Sequence, residues 1–125
     1  MAGTRKGTLT EENLTSILAQ LNISLSALRD ALLGKATSFT TSSVTVGNSS
    51  TTVLAANANR KGAVFVNDSD ETIYLARGST AVMNQGIRLN ANGGSFEINA
   101  TNLYTGVVSA ICASGGKNLC VEEGT

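Results

Sequence analysis

Histidine, proline and tryptophan are missing from this sequence, aromatic residues make up 4% of it and charged residues only 14%. Each shortage excludes something. Without histidine no Ser-His or Cys-His nucleophile can be assembled, and the commonest nitrogen ligand for a metal is gone. Zinc would have to rely on Cys112, Cys120 and carboxylates, and no CxxC spacing occurs. Two tyrosines and no tryptophan supply a poor stacking platform for bases or sugars. Nine basic and nine acidic residues give a formal net charge of zero, which leaves no electrostatic footprint for nucleic acid or an anionic membrane surface. No apolar run approaches the length of a membrane-spanning helix. The start, Met1–Gly7, leads into an amphipathic segment rather than a short apolar one, so no secretory signal is expected, and Ala2 removes the glycine that myristoylation requires. Two cysteines do not make a disulfide scaffold. The chain reads as one made in a cytoplasm. Lack of proline also removes one common means of blunting a sheet edge, so the edges need closure or neighbouring chains.

What the chain has instead is Thr, Ser, Asn, Ala and Gly, which suit exposed strand faces and tight turns. Its texture changes once, near Gly34. Before that point Thr8-Leu9-Thr10-Glu11 matches a capping box, with Thr8 at the cap and Glu11 reaching back. Leu14, Leu18, Leu21, Leu25, Leu28 and Leu32 follow at gaps of four, three, four, three and four, and Gly34 supplies a helix stop. Leucine at every a and d position is a heptad seam. Three occupants fit such a seam: a second copy of the chain, the chain's own β region, or another protein. A helix docked on its own domain ordinarily shows a wider apolar stripe. Ile17 and Ala31 widen this one, but Ser24 interrupts the widening, so self-association is the expectation. The flanking e and g positions hold Thr15, Asn22, Ile17, Ser24 and Ala31, with Arg29 the one charge. Small and apolar flanks suit a bundle of three chains rather than two.

From Thr37 onward, short β-rich runs alternate with turn signals: Phe39–Val46, Thr51–Ala55, Ala63–Asn67, Thr72–Ala76, Gly86–Leu89, Ser95–Ile98, Val107–Ala113 and Asn118–Glu122. Short strands at regular spacing with no helix among them predict an antiparallel β-sandwich of jelly-roll type. The expected organisation is therefore a flexible, polar N-terminal tail over 1–7, an amphipathic heptad helix over 8–34 that serves either for oligomerisation or as an anchor, and a β-sandwich over 35–125. Two hairpins are expected. One folds about Asn67–Glu71 with Val64, Val66, Ile73 and Leu75 on buried faces. The other folds about Gly115-Gly116 and sets Ile111 near Val121 and Cys112 near Cys120, as thiols sharing a face rather than as a disulfide.

No segment carries a catalytic signature. Gly34-Lys35 lacks the first glycine of a phosphate loop (Arg29 stands there) and the Ser/Thr that would hold magnesium (Ala36). Asp68-Ser69-Asp70-Glu71 is the densest acidic spot, yet Ile73 stands where a calcium loop needs glycine, so it reads as a solvated turn. Sequons at Asn13, Asn22, Asn48, Asn67 and Asn99 fall where composition alone produces them. Neither an enzymatic activity, nor a cofactor, nor a metal is expected.

Several phrases together resemble a known family. They are Val53-Leu54-Ala55-Ala56-Asn57-Ala58-Asn59-Arg60-Lys61-Gly62, Asn67-Asp68-Ser69, Ile73-Tyr74-Leu75-Ala76-Arg77-Gly78-Ser79, Gly86-Ile87-Arg88-Leu89, and Leu103-Tyr104-Thr105-Gly106-Val107-Val108-Ser109-Ala110-Ile111 before a glycine-rich hairpin. Over about Thr51 to Val121 the chain resembles the small β-sandwich virion accessory proteins of tailed bacteriophages, of the capsid-decoration or head-fibre type. The heptad helix lies outside the resemblance. The resemblance implies a structural protein of the virion, made in the host bacterial cytoplasm. Its partners would be itself, as a homotrimer suited to local three-fold positions, and the major capsid protein or another virion protein. A tail-fibre or baseplate adaptor and a carbohydrate-binding β-sandwich are the alternatives, the latter disfavoured by the scarcity of aromatics.

Overall fold

The computed structural model describes residues 10–32 and 35–125. Helix α1 runs Glu11–Leu32, and eight strands follow: β1 Phe39–Val46, β2 Thr51–Leu54, β3 Gly62–Asn67, β4 Ile73–Arg77, β5 Ile87–Leu89, β6 Ser95–Ile98, β7 Val108–Cys112 and β8 Lys117–Gly124. The chain divides into two units between residues 33 and 34, the helix in one and all eight strands in the other.

The helix begins one turn-half later than the capping box predicts. Thr10 is the cap: its Oγ1 accepts the Asn13 N–H at 3.1 Å, and its carbonyl accepts the Leu14 N–H at 2.9 Å. Thr8 lies outside the described residues, as does the stop expected at Gly34. Thr10 serves because its hydroxyl stands before the first amides that have no partner within the helix. Glu11 and Glu12 then fall in the first turn, where negative charge complements the helix dipole.

The strands form two four-stranded antiparallel sheets, ordered β1-β8-β3-β6 and β2-β7-β4-β5. Four of the pairings nest inside one another: β1 with β8, β2 with β7, β3 with β6, and β4 with β5. The second half of the chain thus retraces the first, and successive nested pairs alternate between the sheets. A single apolar cluster draws on all eight strands, including Val46, Val53, Phe65, Ile73, Leu75, Leu89, Ile98, Ala110 and Leu119. Burying the larger of these side chains contributes about 1.5–3 kcal/mol apiece relative to exposure. Two sheets covering one apolar layer is how each hides its hydrophobic face.

This topology corrects both expected hairpins. β3 and β4 lie in different sheets, so Asn67–Glu71 carries the chain from one sheet to the other; β7 and β8 are likewise in different sheets. Cys112 pairs with Ile73, whereas Cys120 pairs with Ser43 and Val66, so the cysteines are not cross-strand neighbours. The facing of β3 is also reversed. Ala63, Phe65 and Asn67 are buried, while Val64 is exposed and Val66 half-buried. Ile73 and Leu75 are buried as expected.

Candidate functional site

Helix α1 presents exposed apolar side chains at the described seam positions. Leu14, Leu21, Leu25 and Leu28 expose 43–55% of their surface, and Ile17 exposes 40%. The side chains of Leu18 and Leu32 lie outside the described residues. Thr15, at an e position, returns its hydroxyl to the Glu11 carbonyl at 2.8 Å, so its polar atom does not interrupt the face. The described leucines form an exposed apolar stripe along the helix.

In the β unit, polar chemistry is spent on holding loops. Arg60 is 1% exposed although Lys61 follows it in the sequence. Its Nε donates to Glu123 Oε2 at 2.7 Å, Nη1 to the carbonyls of Tyr104 (3.0 Å) and Gly106 (2.8 Å), and Nη2 to that of Ala55 (2.7 Å). Asn57 adds a bond from Nδ2 to Glu123 Oε1 at 3.3 Å. One guanidinium thus ties the β2–β3 connection, the loop before β7 and the end of β8. A planar fork of five donors is suited to converging carbonyls, and lysine is not. Asn67, fully buried, works similarly: its Nδ2 donates to the carbonyls of Glu71 and Leu89, and its Oδ1 accepts the Ser69 hydroxyl. Burial removes the Asn67 sequon from the surface. Sequence reasoning missed Arg60 and Asn67 as structural residues because nothing local distinguishes a buried polar residue from an exposed one. Among the described residues, every buried side-chain nitrogen and oxygen has a partner.

The acidic turn is likewise engaged. Lys117 Nζ meets Asp70 Oδ1 at 2.6 Å, Ser114 Oγ donates to Glu71 Oε1 at 2.8 Å, and Asn118 Nδ2 donates to Asp68 Oδ2 at 3.3 Å. The hydrogen bond from Lys117 holds the Asp70 carboxyl below its ordinary value, and the same bond raises the Lys117 ammonium. Cys112 is buried with its thiol donating to the Val46 carbonyl at 3.3 Å; Cys120 is half-buried, and both are free.

A shallow groove of about 280 Å³ crosses the outer face of the first sheet, lined by Val64, Val66, Cys120, Thr41 and Glu122 among others. That volume falls just under the usual range for ligand pockets, and no set of polar side chains converges on it. Among the described residues no group of His, Cys, Asp or Glu is placed to hold a metal ion, and no helix is long and apolar enough to cross a membrane.

No family model and no curated protein matches this sequence. Among solved structures, the chain is similar to the stem and receptor binding domain of the spike protein P1 from bacteriophage PM2, with a TM-score of 0.48 and 21% identity; the match covers 64% of this chain and 31% of that one.

Proposed function

We propose that the chain is a non-enzymatic structural protein of a bacteriophage virion, a capsid-decoration or head-fibre module that acts by protein–protein binding as a homotrimer. The observation that carries this reading is the exposed leucine face of α1, with Leu14, Leu21, Leu25 and Leu28 open to solvent at heptad spacing. The second support is the family resemblance of the β region. In this reading the helix is the assembly device and the β unit is the body projected from the shell. The body is a jelly-roll sandwich, and the nested pairing of β1 with β8 through β4 with β5 is what supports that assignment. A body whose buried polar groups all serve loops, as Arg60 and Asn67 do, suits a rigid binding module.

The experiment is labelling of purified particles, from a lysate of a host carrying the gene, with an antibody against the chain under the electron microscope. Label regularly spaced on the head is the expected result. Label confined to the tail would move the protein to a fibre or baseplate position, and particles without label would overturn the virion reading.

A further inference from the structure

Four strands form the margins of the two sheets: β1 and β6 in one, β2 and β5 in the other. An unpaired edge invites pairing with another chain, and monomeric proteins blunt their edges with shortness, bulges or charge. Three of the four are blunted in these ways. β5 is three residues long and carries Arg88. β6 is four residues long and carries Glu97. β2 is four residues long and broken by a register shift between Thr52 and Leu54.

β1 has none of these devices. It runs for eight residues, Phe-Thr-Thr-Ser-Ser-Val-Thr-Val, without charge, and it pairs with β8 in unbroken register from Phe39↔Gly124 to Val46↔Lys117. Which of its amides face outward follows from the bonds just before it. Ser38 and Thr125 exchange both of their bonds, N–H to carbonyl at 3.1 Å and 2.8 Å, and are therefore a hydrogen-bonded pair. Such pairs alternate along an antiparallel ladder. Thr40, Ser42, Val44 and Val46 accordingly bond to β8, and Phe39, Thr41, Ser43 and Thr45 turn their N–H and C=O groups to the open edge. Phe39 to Ser43 are exposed on both faces as well, and Phe39 is 63% exposed, the highest value among the exposed large apolar residues described.

We infer that the edge of β1 is a second self-association surface, covered in the assembly by another copy of this chain. The inference rests on the reading of α1 as the assembly helix. β1 is the strand next to α1 in sequence, and residues 33–38 between them span ~25 Å at most when extended. Copies gathered through their helices carry their β1 strands together at high effective concentration, which favours an edge contact that is weak by itself. A second copy also explains why β1 alone is left unblunted: a strand that is covered in the finished particle needs no protection from pairing.

The test is residue-resolved amide hydrogen exchange on the full chain and on the double variant Leu21→Asp with Leu25→Asp, each sample's mass being read by light scattering. Edges pair two at a time, so one copy of a trimer keeps an open edge; the expected result is an assembled full chain in which the Thr41, Ser43 and Thr45 amides exchange in two phases, the larger at least about tenfold more slowly than in the dispersed variant, with Ser42 and Val44 unchanged. An assembled chain whose outward amides exchange at the dispersed rate overturns the edge contact and leaves the helix reading standing. A variant that stays assembled with slow outward amides supports the edge contact and overturns the helix reading. A monomeric full chain overturns both.

Discussion

Arg60 and Glu123 form an ion pair at 2.7 Å in which the arginine side chain is wholly buried and the glutamate side chain is 18% exposed. The pair closes the end of β8 onto two loops, and its energy lies less in the charges than in the carbonyls of Ala55, Tyr104 and Gly106 that the same guanidinium satisfies.

Replacing Arg60 by Met strands those carbonyls and the Glu123 carboxylate together. The expected loss is about 3–5 kcal/mol of unfolding free energy in denaturant titration. Glu123→Gln, which keeps an acceptor, should cost about 1–2 kcal/mol. Equal effects of the two substitutions would show that the carbonyls contribute little.

The cysteines should differ in reactivity. Native protein should take up one thiol reagent per chain, at Cys120, and a second only after unfolding exposes Cys112. Mass spectrometry of the labelled peptides checks this directly; native labelling of Cys112 would mean that β7 opens readily.

The clasp between Asp70 and Lys117 should hold through neutral pH and loosen at both extremes. Asp70 is lowered by the Lys117 hydrogen bond from an ordinary value of 3.8, so its contribution is present above that pH and lost as pH falls through the folded-state value. Lys117 is raised from 10.5, so its contribution is present below that pH and lost as pH rises through its folded-state value. Chemical shifts of the Asp68–Glu71 amides should move in both windows, and Lys117→Met should abolish the alkaline response.

Leu75, 1% exposed on β4, anchors the apolar layer. Leu75→Asp places an unpaired carboxylate there, costs several kcal/mol, roughly, and should unfold the β unit. Retention of the native near-ultraviolet circular dichroism would contradict the facing assigned to β4.

The eight strands were legible from the sequence almost to the residue, because turn-forming residues bracket each one: Phe39–Val46 and Ser95–Ile98 match their expected bounds. Their partners were not legible. Alternation reports a strand's two faces but not which neighbour it meets, and here neighbours in sequence often lie in opposite sheets. In β3 even the facing was ambiguous, since Val64 and Val66 are as apolar as Ala63 and Phe65, and the buried set ends in Asn67. The helix Glu11–Leu32 was legible because leucines recur along it at helical spacing. Arg60 was not, because the groups that justify its burial, Tyr104, Gly106 and Glu123, are distant in sequence.

In the proposed function the leucine face of α1 joins copies of this chain. Light scattering behind size exclusion, on the full chain and on Leu21→Asp with Leu25→Asp, tests it most directly. Three chain masses are expected for the full chain and one for the variant, with the β signal in circular dichroism retained. A full chain that elutes at one chain mass, or a variant that keeps the mass of the parent, would contradict it.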